Sequence, residues 1–189
     1  MHLSRDALKQ LILDKQLVTG YVDLDGQLTA NGIDVRLAAV IEIIEGGKLA
    51  VDKKNNKPPK LGRAWVLKGY EDRLLEYKIG NIQIVEHGSV MLEAGKPYFV
   101  ITCEQVNTPD DHMFHIHART SLFRFTQSTL LCTVGEAGYR GFLTFVLVPF
   151  LKSEIELGMR FAQFTFTELK GKAQYDAQKQ ANYQGGKLF

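Results

Sequence analysis

Covalent reinforcement is scarce in this chain. Its 189 residues include two cysteines, Cys103 and Cys132, and neither falls in a CxxC pair or a Cys/His spacing. Neither a disulfide scaffold nor a structural zinc site is therefore expected. Both thiols lie in apolar, strand-like runs and read as reduced, buried small hydrophobes of a cytoplasmic protein. Excess charge is scarce too: 23 Lys plus Arg against 21 Asp plus Glu leave a net charge of +2. That is too little for a surface that coats nucleic acid, so any anion recognition has to be local. No apolar run reaches the roughly 18 residues that suggest a membrane span. The opening Met1-His2-Leu3-Ser4-Arg5-Asp6 has no apolar core of the signal-peptide kind. No repeat of solenoid period is present.

What is there is an ordinary globular composition, 45% hydrophobic and 23% charged, in a length that suits one domain with a real core. Residues 4 to 16 read as a helix. Ser4 is a candidate N-cap, Asp6 suits the positive end of the dipole, and Leu8, Leu11 and Ile12 make one apolar face. That face would meet the domain edge or a neighbouring subunit. From residue 17 onward, short β-branched and aromatic runs alternate with turn residues: 39–44, 82–85, 98–102, 113–116, 130–134, 142–150 and 160–167. Such spacing predicts an all-β sandwich or barrel. The run from Phe142 to Val148 is apolar on both of its alternating faces, so both faces should be covered, in a sandwich core or a trimer. Residues 52–62 (DKKNNKPPKLG) read as a projecting loop. The tail from Gly171 has a disordered-like composition, yet it ends Tyr183-Gln184-Gly185-Gly186-Lys187-Leu188-Phe189, which could fold over a ligand as a lid. The expected division is a β domain over residues 1–170 and a tail over 171–189.

Two segments carry the chemistry. Ala118-Arg119-Thr120-Ser121-Leu122 offers a guanidinium and two adjacent hydroxyls, groups that suit phosphate oxygens. Thr133-Val134-Gly135-Glu136-Ala137-Gly138-Tyr139-Arg140-Gly141 offers one carboxylate and an aromatic ring in a glycine-rich turn. A carboxylate there can orient or deprotonate a water, and the ring can lie on a base or sugar. Together they suggest a deoxynucleoside triphosphate held by its tail and attacked by water. Two further features have plainer readings. His115 and His117 share a strand face but lack a third ligand at suitable spacing, so they read as polar or interface histidines rather than a metal pair. In Ala30-Asn31-Gly32-Ile33-Asp34-Val35-Arg36-Leu37, Asp34 reads as a turn acid and Arg36 as an exposed arginine.

Several segments, taken in order, resemble the dCTP deaminase and dUTPase superfamily almost end to end. They are LSRDALKQLI, LTANGIDVRL, MLEAGK with TCEQVNTPDD, ARTSL, VGEAGYRG, Gly158-Met159-Arg160-Phe161-Ala162-Gln163, and the ending NYQGG. The resemblance implies a distorted jelly roll with a short N-terminal helix, a homotrimer with active sites shared between subunits, and Mg²⁺ carried mainly by the triphosphate. No direct protein ligand for the metal, no membrane and no nucleic acid are implied. It assigns Arg119, Thr120, Ser121, Arg124 and Gln163 to phosphate or base contact, Tyr139 to the deoxyribose, Tyr183 and Gln184 of the tail to the substrate, and the backbone of residues 126–138 to the uracil edge. The two reactions of the superfamily part at one position. The deaminase glutamate, placed by the resemblance five residues after the turn glycine, corresponds here to Val146, and residues 141–153 contain no carboxylate. The dUTPase carboxylate corresponds to Glu136, one methylene longer than the aspartate of the family motif. Hydrolysis of dUTP to dUMP and pyrophosphate is the expected activity. The alternatives are dCTP deamination and a catalytically weak nucleotide-binding homologue.

Overall fold

A computed structural model describes residues 1–72, 83–85, 88–178 and 183–189. Its main feature is a curled nine-stranded sheet in which β2 (Ile33–Glu45) is the pivot. The first residues of β2 pair with β14 (Arg160–Glu168), and the later ones lie between β6 (Tyr98–Thr102) and β3 (Lys60–Val66). Beyond β14 come β8 (His112–Ala118) and β10 (Val134–Gly135); beyond β6 come β12 (Thr144–Pro149) and β9 (Ser128–Leu131); β4 (Gln83–Val85) adds to β3 in parallel. A three-stranded sheet joins β1 (Val18–Thr19), β7 (Gln105–Asn107) and β11 (Arg140–Gly141), and a two-stranded one joins β5 (Ser89–Leu92) and β13 (Ser153–Glu156). This is the all-β, jelly-roll-like architecture expected. The strand expected at 82–85 is β4; Ile82 and the neighbouring His87 lie outside the described residues.

The period-2 pattern explains the core. Along β14, Phe164 and Phe166 are buried while Gln163, Thr165 and Thr167 face outward, as alternating side chains on a pleat must. Phe114 of β8 sits 5.2 Å, centroid to centroid, from both of those phenylalanines. Each fully buried large side chain contributes about 1.5–3 kcal/mol of hydrophobic stabilisation. Helix α1 (Arg5–Lys15) seats Leu8 and Ile12 in this same core, so its apolar face serves its own domain; a one-turn helix α2 (Leu24–Gln27) precedes β2. Ser4 is its N-cap residue but makes no side-chain capping hydrogen bond.

Strand β12 divides as its pattern demands: Phe145 and Leu147 are buried in the main core, whereas Thr144, Val146 and Val148 on the other face are half-buried. Part of that outer face carries a second, smaller core of Ala39, Ile41, Ala64, Val66, Ile101 and Phe142. The C-terminal tail closes over it, burying Leu188 and setting Phe189 edge-on to Phe99 at 5.9 Å. The tail composition therefore misleads in part: a few apolar residues anchor 183–189 to the chain's own sheet. Cys103 is buried as expected, but Cys132 is exposed. It follows β9, whose pairing with β12 ends at Leu131.

Candidate functional site

The two chemical segments lie at opposite ends of β8. Gly135 of β10 pairs with Phe114 near the strand's start, whereas Arg119 follows its last residue, Ala118. Five residue steps along the strand direction separate the two positions, about 16–17 Å.

At the Arg119 end, the chain turns directly into helix α3 (Thr120–Thr126), an element absent from the strand reading. Its signal was short: Leu122 and Thr126, one helical turn apart, are its buried residues. Arg119 caps the helix, with Thr120 exposed, Ser121 half-buried and Arg124 exposed on the last turn. The Nε of Arg119 meets Asp34 Oδ2 at 2.8 Å, and its Nη1 donates to the Arg160 carbonyl at 3.0 Å. Arg160 Nη1 stands 3.7 Å from the same Asp34 oxygen and also donates to the Gly26 carbonyl. Gln163 is paired with Asp34 across β14 and β2, and its amide donates to Thr29 Oγ1 at 2.9 Å. Arg119, Arg160 and Gln163 are thus gathered around Asp34, and Thr120 and Ser121 follow Arg119 in sequence.

Asp34 and Arg36 correct the sequence reading. Neither lies in a turn or at the surface: Asp34 is 2% exposed and Arg36 9%. Both belong to β2, where β14 pairs with each of them and the chain just after β6 bonds to the Arg36 carbonyl through Cys103 N–H. Arg36 pairs with Glu104, which is wholly buried; Glu104 accepts from Arg36 Nε at 2.8 Å, from its backbone N–H at 2.7 Å and from Gln27 Nε2 at 2.9 Å. Gln27 Nε2 donates also to the Asp34 carbonyl at 2.9 Å. Burial raises the Asp34 carboxyl above its ordinary pKa, against the opposing pull of Arg119, Arg160 and a hydrogen bond from Gln163.

At the other end, Glu136 opens the turn that joins β10 to β11. Tyr139 N–H donates to the Glu136 carbonyl at 3.2 Å, Gly138 N–H to Thr108 at 3.0 Å, and Tyr175 N–H to Ala137 at 2.8 Å. Backbone bonds on three sides therefore hold the carboxylate's base in place. Gly135 is required by close approach: a Cβ there would stand 1.9 Å from atoms of the Phe114 ring. A cavity of about 750 Å³ lies between this turn, the outer face of β12 and the tail. Glu136 is its one carboxylate side chain among the described lining residues, in a wall that includes Phe99, Leu131, Phe142 and Phe189. Val146 is in register with Phe99 and Leu131 and shares their sheet face. The Thr144 hydroxyl on this face is buried with no partner among the described residues.

Tyr139 lines the cavity, but its hydroxyl is engaged with the Phe142 carbonyl at 2.6 Å and its ring stands edge-on to Tyr175 at 5.5 Å. Tyr183 lines the cavity as well. Gln184 spends its amide on the chain itself, accepting from Arg140 N–H at 2.9 Å and donating to the Gly138 carbonyl at 3.1 Å. Gly141 makes that docking possible: at φ +134°, its missing Cβ would lie 2.6 Å from Gly185. His115 and His117 do share a face, with ring centroids 6.3 Å apart, and His2 joins them at 6.1 Å from His115. No cluster of three or more His, Cys, Asp or Glu able to hold a metal occurs among the described residues.

Comparison with known proteins agrees with this architecture. A dCTP deaminase of Haloarcula marismortui is 36% identical over 121 residues, 61% of this chain and 61% of that protein. The match to this relative thus spans less than two thirds of its length. A probable deoxyuridine 5'-triphosphate nucleotidohydrolase of Methanococcoides burtonii is 32% identical over 170 residues, 88% of each chain. The crystal structure of 2'-deoxycytidine 5'-triphosphate deaminase from Agrobacterium tumefaciens superposes with a TM-score of 0.58 at 19% identity, covering 87% of this chain and 47% of that one. That likeness establishes the shared fold. No described helix is long and apolar enough to cross a membrane. The dCTP deaminase-like family model matches residues 2–169, and the chain belongs to that family.

Proposed function

We propose that the protein acts on pyrimidine deoxynucleoside triphosphates, and that its reaction is hydrolysis of dUTP to dUMP and pyrophosphate. One observation carries the choice of reaction: Glu136 is the one carboxylate side chain among the described residues of the cavity wall, while Val146, which the sequence resemblance sets against the deaminase acid, is paired with Phe99 and Leu131 on the sheet. A valine cannot shuttle the proton that replacement of an amino group by water requires.

In this reading Arg119, Thr120 and Ser121 hold the phosphate tail, with Arg124 at its side. Gln163 shares this cluster through Asp34, its partner across the strands and the acceptor of its hydrogen bond. Glu136 accepts a proton from the attacking water as the new bond to the α-phosphorus forms and the bond to the pyrophosphate oxygen breaks. Mg²⁺ would enter on the triphosphate's own oxygens, which suit that ion, and would supply charge neutralisation of the leaving pyrophosphate. The chain's part is to orient phosphate and water. Since the Arg119 cluster and Glu136 lie at opposite ends of β8, a homotrimer that brings one subunit's cluster to another's cavity would complete the site. Exposed Phe125 (82%), Phe150 (65%) and Leu151 (57%) provide apolar surface for such contact.

The second reading, dCTP deamination, is favoured by the Haloarcula marismortui relative's name. Incubation with dUTP and with dCTP in the presence of Mg²⁺, followed by pyrophosphate and ammonia assays, separates the two. Ammonia from dCTP would overturn the dUTPase reading; nucleotide binding without either product would indicate a non-catalytic homologue. Glu136→Gln should lower pyrophosphate release by roughly 10²–10⁴-fold, the usual worth of a general base, with binding retained. An unchanged rate would remove Glu136 from the mechanism.

A further inference from the structure

The geometry points to Asp34 as a positioning residue for the phosphate-binding guanidinium of Arg119; this rests on the nucleotide reading above. The carboxylate lies within a sheet, where a charge is costly unless it is paired, and its cationic partners are Arg119 and Arg160. Its contact with Arg119 is through Nε at 2.8 Å, and the Arg160 carbonyl takes Arg119 Nη1 at 3.0 Å. An arginine tied at Nε and at one terminal nitrogen has lost the freedom of its long stem. Nη1 makes the one side-chain hydrogen bond of Arg119 among the described residues, which leaves Nη2 for an anion, and the hydroxyl-bearing Thr120 and Ser121 follow directly at the start of α3.

Asp34 is itself fixed. Its carbonyl accepts from Gln27 Nε2, whose position is set by Glu104, and its strand neighbour is Gln163. The arrangement reaches from the buried Arg36–Glu104 pair through Gln27 and the Asp34 backbone to the Arg119 side chain. Asp34 itself need not touch the anion. It acts through Arg119, as an anchor that presents a guanidinium in one orientation, and misplacement of such a group by about 1 Å is enough to impair a reaction.

The test uses the full chain and inorganic tripolyphosphate, which has the phosphate tail without base or sugar. Calorimetric titration of the unsubstituted protein, Asp34→Asn, Asp34→Glu, Arg119→Lys and the Asp34→Asn/Arg119→Lys double variant forms a cycle. Asp34→Asn and Asp34→Glu should each weaken binding by about tenfold or more, the worth of one charge-assisted hydrogen bond set correctly. Asp34→Glu keeps the charge and moves the anchor by roughly 1.5 Å, so it isolates position from charge and stands in if Asp34→Asn does not fold. The double variant should bind no more weakly than Arg119→Lys alone, because the two residues act as one unit. For whichever nucleotide is turned over, KM should rise in step with the tripolyphosphate Kd. Full tripolyphosphate affinity in either Asp34 variant overturns the proposal, as do losses that multiply in the double variant. Absence of tripolyphosphate binding by the unsubstituted chain overturns it too. If that chain binds tripolyphosphate but releases neither pyrophosphate nor ammonia, the proposed reaction fails while the cycle still reports the role of Asp34.

Discussion

The two ends of β2 each bury a carboxylate, and the two are treated in opposite ways. Glu42, near the C-terminal end, is surrounded by donors: Arg63 gives it its Nε, Nη2 and backbone N–H at 3.0–3.1 Å, and Lys96 adds its ammonium at 2.8 Å. The hydrogen bonds from Arg63 dominate burial, and they hold the Glu42 carboxyl at about 2. Asp34, near the N-terminal end, has Arg119 at 2.8 Å and Arg160 at 3.7 Å, and burial dominates instead, raising its pKa. A carboxylate saturated with donors stabilises the fold. One whose burial outweighs its cations costs stability, a cost commonly met at functional sites.

This contrast can be broken by substitution. Arg119→Ala should do the most damage: it leaves Asp34 buried with Arg160 alone at 3.7 Å. Urea unfolding should show a loss of about 3 kcal/mol, the low end for a broken buried pair because Arg160 remains. Next comes Glu42→Gln. A carboxyl held at about 2 against an ordinary 4.5 stabilises the fold fully above about pH 5, and that contribution disappears as pH falls through 4.5 towards 2. The shift sets a ceiling of about 3 kcal/mol, and the solvent exposure of Arg63 reduces it to about 1–2 kcal/mol. Glu42→Gln should therefore melt lower at pH 7 and equal the parent near pH 2; equal melting at pH 7 would make the cluster decorative.

Asp34→Asn should have a smaller effect of the opposite sign. A raised folded pKa means that the folded state binds the proton more tightly, so this group's contribution to stability declines as pH rises through that interval. At pH 7 the neutral variant should melt no lower than the parent despite its weakened anion binding, and a large drop in melting temperature would show that Asp34 is a structural acid like Glu42. Smallest of all, Ser4→Ala should change stability by less than about 0.5 kcal/mol, below the usual cost of losing a cap, because the Ser4 side chain makes no capping bond.

Legibility in the sequence followed locality. Strand β6 coincides with the expected run 98–102, β14 extends the expected 160–167 by one residue, and α1 begins one residue after Ser4, because period and capping signals lie within a few residues of one another. The Arg119 and Glu136 segments were visible for the same reason. Other features were not. The reading of Asp34 and Arg36 as surface residues failed because local sequence around Gly32 resembles a turn, while burial is imposed by strands more than sixty residues away. Helix α3 was hidden because seven residues carry too little periodicity to separate them from a strand. The tail looked disordered by composition, yet Leu188 is buried and Gln184 bonds twice to the backbone at residues 138 and 140.

The sequence alone determined the β class, the position of the N-terminal helix and the guanidinium–hydroxyl segment, since each is a matter of residue type and short-range pattern. Only the tertiary structure decided that Asp34 underlies Arg119, that Glu136 is the lone carboxylate side chain of the described cavity wall, and that these two centres sit at opposite ends of β8. Those relations are made by strand pairing between distant parts of the chain, and no local propensity encodes which strands will be neighbours.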